Sequence, residues 1–354
     1  METSNSLHNF QKVRVLIVDD SVLMRQMISN ILSRDPDIDV VGVACDPFIA
    51  RELIKSLNPD VVTLDINMPK MDGLSFLGKI MTLRPMPVVM VSTLTEKGAK
   101  ETLQALEIGA VDYVTKPSSN VKENFEKIAH NLCLKVKTAA KARIKNRLAA
   151  KINNPDLVIE GNTLPQLVGI GSSTGGVEAL TEVFLSLPSS CPPVVVVQHM
   201  PAGFTASFAA RLNKQCNPTI QEVKQDMPID KGNVYIAPGD KHFCIKHRGH
   251  SFIAELHDGE TVNSHKPSVD VLFSSIAKLT LSNVCGILLT GMGRDGAEGL
   301  LQMRHSGAKT FGQNEETCLI YGMPRVAKEI GAVQKEIPLK KVASVIMGHI
   351  SATV

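Results

Sequence analysis

Two adjacent serines, Ser172 and Ser173, stand in the stretch GIGSSTGG at residues 169–176, after an apolar run and before a helical pattern. A glycine-rich turn of this kind can cradle a phosphate, lift a nucleophile, or simply reverse the chain. As a dinucleotide loop it begins well, with Gly169 and Gly171, but Thr174 takes the third glycine's place and only the shifted Gly175 rescues the match. That reading also needs an acid at the end of the next strand to hold a ribose. The next strand, VVVVQHMP, ends in Gln198 and His199 instead. As a nucleophile turn, Gly171 to Gly175 matches G-x-S-x-G with Ser173 at its centre. A serine hydroxyl needs a base, and His199 places an imidazole at the end of that adjoining strand. The imidazole in turn needs a carboxylate to hold its tautomer, and Asp295 supplies one in GMGRDG, just after the run GILLT. GMGRDG itself satisfies G-x-G-x-x-G, so that pattern discriminates poorly. In elbow geometry Ser172 points away from the shared sheet edge, which leaves Ser173 as the candidate nucleophile.

A second cluster lies upstream. Asp19 and Asp20 end the first β-rich run and Asp65 ends the third. Three acids converging at neighbouring strand ends repel one another, which favours an oxygen-loving cation such as Mg²⁺. One of the carboxylates can then attack phosphorus, as in aspartyl-phosphate chemistry. The remaining strand ends carry Ser92 or Thr93 and Lys116, a hydroxyl and an ammonium able to grip phosphoryl oxygens.

The elements that must position these groups follow from hydrophobic periodicity. In the N-terminal third, β-rich runs at 13–18, 40–44, 61–64, 88–91 and 111–114 alternate with amphipathic stretches such as 22–33 and 96–108, the latter closed by Gly109. Five such strands predict a doubly wound parallel α/β sheet that binds its ligand outside the carboxyl ends of its strands. After residue 134 comes KVKTAAKARIKNRLAAK, with seven Lys/Arg and no acid, ending at Asn153-Asn154-Pro155. It reads as a solvated basic linker, and the spacing of Ile144 and Leu148 permits a continuation of the preceding helix. From 167 the alternation resumes, with strands at 167–170, 194–198, 233–237 and 286–289 and an inserted hairpin at 243–246 and 252–255. The division predicted is a first domain at 11–133, a linker at 134–163 and a second parallel α/β, Rossmann-like hydrolase domain at 164–354.

The totals agree. The 354 residues carry 44% hydrophobic side chains and a net charge of +3 (38 Lys+Arg against 35 Asp+Glu). That predicts two cores and no strong pull toward nucleic acid or membrane. Seven scattered cysteines without a C-x-x-C pair argue against a zinc site or disulfide framework and fit a reducing compartment. The N-terminus shows no secretory pattern and no run is long enough to span a bilayer, so a cytoplasmic protein is expected.

The first domain resembles the receiver domain of two-component response regulators, on VLIVDDS, LDINMPKMDG, VVMVSTLT and YVTKP. The resemblance implies phosphorylation of Asp65 by a histidine kinase, Mg²⁺ held by Asp19, Asp20 and Asp65, a switch hydroxyl at Ser92, and Lys116 on the phosphate. Asn67 departs from the pattern, since near relatives often carry an acid there. The second domain resembles the CheB family of chemotaxis protein-glutamate methylesterases, on GSSTGG, QHMPAGFT, VYIAPGDKH, HKPSVDVLF and LLTGMGRDGA. This implies hydrolysis of γ-glutamyl methyl esters, and deamidation of particular glutamines, on chemoreceptor helices, with the membrane met only through those receptors. The triad carries over as Ser173, His199 and Asp295, and the backbone N–H of Met292 as oxyanion donor. Members mostly carry alanine where Ser172 stands. No cofactor is expected in the second domain. The pairing of the two domains implies that the unphosphorylated receiver masks the groove at Ser173 and that phosphorylation exposes it. The competing expectation is a response regulator whose output domain binds DNA or a nucleotide, supported only by the basic linker and the glycine loops.

Overall fold

Short β-branched runs alternate with capped amphipathic helices throughout the N-terminal unit, and that alternation builds one parallel sheet. The computed structural model describes residues 12–348 except 94, 117–120, 145–163, 250, 280 and 282. The chain forms two compact units that separate between residues 144 and 164. In the first unit the order is β1 (Val13–Val18), α1 (Val22–Leu32), β2 (Ile38–Ala44), α2 (Pro47–Leu57), β3 (Val61–Asp65), α3 (Gly73–Leu83), β4 (Val88–Ser92), α4 (Glu96–Ile108), β5 (Asp112–Thr115) and α5 (Val121–Ala139). The strands pair in parallel in the order β2-β1-β3-β4-β5. Strand order reverses between β1 and β3, which opens a crevice at their carboxyl ends. Every residue of β3 and β4 is buried, as a sheet covered on both faces requires. Ser21, Asp46, Asp72 and Thr95 cap the first four helices, each accepting a backbone N–H.

The second unit runs β6 (Leu167–Ser172), α6 (Gly176–Leu185), β7 (Val194–Gln198), α7 (Phe204–Gln215), β8 (Thr219–Glu222), β9 (Met227–Ile229), β10 (Asn233–Ile236), β11 (His242–Arg248), β12 (Ser251–His257), α8 (Val269–Ala277), β13 (Val284–Leu288), α9 (Ala297–His305), β14 (Lys309–Gln313), α10 (Met323–Glu329), β15 (Lys335–Ile337) and α11 (Val342–Ile346). Seven strands form a parallel sheet in the order β15-β14-β13-β6-β7-β10-β8. The chain leaves β6 toward β7 and later returns to its other side as β13, so β6 is the topological switch point. The inserted hairpin is β11–β12, joined antiparallel by β9 into a separate three-stranded sheet.

The predicted strands are all present, with shifted ends. β2 begins at Ile38, because an edge strand tolerates the exposed Asp39 that interrupts its apolar run. β8, β9, β14 and β15 were not predicted. β8 and β15 are short edge strands with half-polar sequences, TIQE and KEI, and carry little alternation to read. α5 runs on to Ala139, into the stretch read as linker, but stops there and turns at 140–141. The permitted helical continuation through Ile144 is therefore not seen, while Leu148 and the linker from 145 lie outside the described residues.

Candidate active site

Two glycines of GIGSSTGG have a packing role that explains the motif better than a ligand would. A Cβ at Gly169 would meet the Ile276 and Phe273 side chains, and one at Gly171 would lie 2.2 Å from Val269 Cγ1. Both positions face α8, and only bare backbone lets that helix begin directly against β6. Odd-numbered positions of β6 therefore look toward α8. Ser172, at an even position, looks the other way: it is fully buried and its Oγ donates to Gln198 Oε1 at 2.7 Å. A Cβ at Gly176 would come within 2.8 Å of Ser172 Cβ, so the space around this serine is filled.

Ser173 follows β6 with the pairing continued on both sides, since its N–H donates to Thr290 O at 3.0 Å and His199 N–H donates to Ser172 O at 3.1 Å. By alternation its side chain returns to the α8 side. It then turns tightly, with Gly176 N–H donating to Ser173 O at 2.8 Å and Gly175 at φ +80°, where a β-carbon would be strained. This is the strand–turn–helix context that G-x-S-x-G demands. The amide of Gln198 fastens the turn from the next strand, donating to Ser173 O at 2.9 Å and His199 O at 3.1 Å.

His199 and Asp295 come from opposite sides of β6 and meet: His199 Nε2 lies 2.8 Å from Asp295 Oδ2, with both side chains buried. His199 Nδ1 is buried and has no hydrogen-bond partner among the described residues. With the proton on Nε2 held by the carboxylate, Nδ1 keeps its lone pair and is the nitrogen able to accept a proton. Asp295 lies in the loop between β13 and α9, seven residues past the strand, rather than at the strand end itself. Its carboxylate sits at the N-terminus of α8: Oδ2 accepts Val269 N–H at 2.7 Å, and Oδ1 accepts Ser268 Oγ at 2.7 Å, Asp270 N–H at 3.3 Å and Asn263 Nδ2 at 3.0 Å. Burial pushes its pKa upward, but the His199 bond and charge, with Asn263 and Ser268, hold it well below the usual carboxylate range. Asp295 is thus held as the anion at neutral pH.

Met292 lies in the loop that carries Asp295. A Cβ at Gly291 would be 2.8 Å from Ser173 Cβ, so this loop passes beside the serine. The segment before α10 closes the other side, with Gly291 N–H donating to Ile320 O at 3.1 Å and Met323 N–H to Gly291 O at 2.8 Å. Sequence reasoning missed the roles of four residues here. His265 stacks its ring on His199 with centroids 3.7 Å apart and planes 9° apart. Gln198 was read only as the absence of an acid. Ser268 and Asn263 grip Asp295. HKPSVDVLF carries part of the family resemblance, but spacing alone does not show that its serine caps a helix aimed at a carboxylate.

In the first unit, Asp19 and Asp65 are buried and Asp20 exposed, with ligand oxygens of all three within 4.8 Å of one another. Lys116 follows β5 and its Nζ reaches Asp65 Oδ2 at 2.8 Å and Asp19 Oδ2 at 3.1 Å. Burial raises the Asp65 pKa, opposed by Lys116 and reinforced by the charge of Asp19. Asp65 Oδ1 is buried without a hydrogen-bond partner among the described residues, which is the state of a carboxylate oxygen that a cation would satisfy. The set of hard oxygen donors fits Mg²⁺. Ser92 ends β4, buried, with its Oγ donating to Gly98 O at 3.3 Å and accepting from Thr102 Oγ1 at 2.7 Å. That hydroxyl is tied to α4.

Comparison with known proteins places both units in families. The CheB methylesterase family profile matches residues 168–346, and that of the response regulator receiver domain matches residues 15–130. A relative from Rhizobium etli, named protein-glutamate methylesterase/protein-glutamine glutaminase, is 52% identical over 335 residues, 94% of this chain and 95% of its own. One of the same name from Salmonella typhimurium is 49% identical over 345 residues, covering 96% and 98%. The crystal structure of the Thermotoga maritima CheB methylesterase catalytic domain is 34% identical and superposes with a TM-score of 0.51, over 53% of this chain and 100% of that one. None of these matches points to a DNA-binding or nucleotide-binding output. With the family match over residues 168–346, the receiver match over 15–130 and relatives about half identical over nearly the whole length, the chain belongs to the CheB methylesterase family and carries a response regulator receiver domain.

Proposed function

We propose that this chain hydrolyses glutamate γ-methyl esters, and deamidates particular glutamines, on the cytoplasmic helices of chemoreceptors, under control of phosphorylation at Asp65. The observation that carries the reading is the His199–Asp295 bond across the end of β6, with Nδ1 buried and without a partner among the described residues, at the end of the strand that pairs with the one leading to Ser173. His199 Nδ1 takes the Ser173 proton as Oγ attacks the ester carbonyl, and Asp295 stabilises the imidazolium. The Met292 N–H holds the oxyanion, a contribution of about 3 kcal/mol in comparable sites. Methanol departs with the proton from Nδ1 and leaves an acyl-serine. Water attacks that ester, His199 again moving the proton, and glutamate and Ser173 are restored. A glutamine substrate follows the same path with ammonia as the leaving group. Methanol release from methylated receptor membranes, with phosphonate labelling of Ser173, tests this directly.

In the receiver, a histidine kinase supplies the phosphoryl group to Asp65. Asp19, Asp20 and Asp65 hold Mg²⁺, which when bound neutralises charge on the transferring phosphate. Lys116 contacts the phosphoryl oxygens, and Ser92 exchanges its α4 partners for them, which is how the switch reaches the rest of the module. The assignment of 11–133 as receiver, 134–163 as linker and 164–354 as catalytic domain belongs to this proposal, with α5 carried on to Ala139. Among the described residues no helix is long and apolar enough to cross a membrane. A cytoplasmic enzyme that meets the membrane through its receptors fits that.

A further inference from the structure

A second carboxylate lies behind Asp295, and none of the steps above uses it. Asp270, in the first turn of α8, is buried; its Oδ1 accepts Gly299 N–H and its Oδ2 accepts Asn263 Nδ2, each at 2.6 Å. The same Asn263 Nδ2 donates to Asp295 Oδ1 at 3.0 Å. One amide thus splits its two hydrogens between two carboxylates. Asn263 reaches both because it occupies a tight turn: Val262 and His265 exchange both backbone hydrogen bonds, at 3.0 and 2.9 Å, around Asn263 and Ser264 at φ 51° and 66°. Two consecutive left-handed residues closing such a pair are a primed hairpin turn, which suits asparagine. The far end of that turn carries His265, the ring stacked on His199. A single two-residue turn therefore touches both members of the histidine–carboxylate couple, and Asp270 is its anchor.

We propose that Asp270 is a positioning residue for ester hydrolysis, acting through Asn263 and the turn 262–265 to set the orientation of the Asp295 carboxylate and the His199 ring. This rests on the reading of Ser173, His199 and Asp295 as the reacting triad. Only a carboxylate at position 270 offers an acceptor oxygen to each of its two donors, the Gly299 N–H and the Asn263 amide, since an amide there has one such oxygen and would turn its own NH2 against the other N–H. Burial, aided by the charge of Asp295, raises the Asp270 pKa to about 6, so its ionised form is costly at neutral pH. The second oxygen of that costly anion is what holds Asn263, so the charge at 270 is tied to the turn beside Asp295 and His199. The titratable group facing it directly is Asp295, from the loop after β13. His199 reaches it through Asp295, and His265 through the turn; α9 presents the backbone N–H of Gly299. Protonation of Asp270 weakens its acceptance of the Asn263 amide and loosens the turn, so the acid limb of the rate profile carries Asp270.

The test uses full-length protein and methylated receptor membranes, with kcat and KM measured from about pH 5.5 to 9. Asp270→Asn and Asn263→Gly are made singly and together; glycine keeps the left-handed turn while removing only the amide. The expected result is a fall in kcat of about 10- to 100-fold for each, with KM nearly unchanged. The acid limb of Asp270→Asn moves to lower pH, and the double variant is no slower than Asn263→Gly alone. Wild-type kcat with an unmoved acid limb in Asp270→Asn, or losses that multiply in the double variant, would overturn the proposal. Asn263 is on the surface turn, so its glycine variant keeps the test decisive if Asp270→Asn fails to fold. Ser173→Ala run alongside separates the two readings: residual turnover there refutes the triad, whatever the other variants do.

Discussion

Ser172 and Ser173 share a chemistry and differ in surroundings. The first spends its hydroxyl on Gln198 in a filled space, and the second returns to the side of β6 where Asp295 and His199 meet. Ser173→Ala is expected to abolish methanol release. Ser172→Ala leaves Gln198 Oε1 without a buried donor, costing about 1–2 kcal/mol of stability in a melting experiment while turnover stays within a few fold. Asp295→Asn keeps the shape of the site but presents an amide to His199 Nε2 in place of an anion, and kcat should fall by about 10⁴-fold. Stability follows the sign of the Asp295 shift. A carboxylate whose folded pKa is depressed contributes above its unfolded value of about 3.9 and loses that contribution as pH falls through the folded one. The wild-type advantage over Asp295→Asn in melting temperature should accordingly be present at neutral pH and shrink in acid; an advantage that grew in acid would contradict the electrostatic account.

At the level of elements, the site depends on how closely α8 approaches β6. Gly171 permits the approach, and α8 then delivers Ser268, Val269 N–H and Asp270 N–H to Asp295. Gly171→Ala places a methyl 2.2 Å from Val269 Cγ1. The helix start must move, which should cost about 1–3 kcal/mol and lower kcat together with stability. Gly78→Ala, where a Cβ meets nothing within 4 Å on α3, should instead gain up to about 1 kcal/mol by thermal melting. Much of this layer was legible beforehand. Runs such as VVVVQ can only be buried parallel strands, so β6, β7 and the five strands of the first unit could be placed with their acids and serine at the carboxyl ends. Edge strands such as KEI carry too few alternations to read, and they were missed. The tight turn at Asn263 was illegible for another reason: it forms because its amide has two buried carboxylates to bridge, contacts that no local pattern encodes.

Across the whole molecule, two parallel sheets each bring chemistry to a switch point, between β1 and β3 in one and at β6 in the other. The strand-end positions Asp19, Asp65, Ser92, Ser173 and His199 were legible because apolar runs stop there, whereas Asp295 lies seven residues past β13. The sequence did not show that His199 uses Nε2 for Asp295 and reserves Nδ1, nor that Ser92 is tied to Thr102 and Gly98, since side-chain rotation leaves no trace in spacing. Coupling between the units predicts that a small-molecule phosphodonor accelerates methanol release and that Asp65→Asn or removal of Mg²⁺ by a chelator abolishes the acceleration while sparing the basal rate. The measurement bearing most directly on the account compares wild type, Ser172→Ala and Ser173→Ala for methanol released from methylated receptor membranes in the presence of phosphodonor. Release by wild type and Ser172→Ala with none from Ser173→Ala is the outcome predicted. Turnover surviving in Ser173→Ala, or lost only in Ser172→Ala, would contradict it.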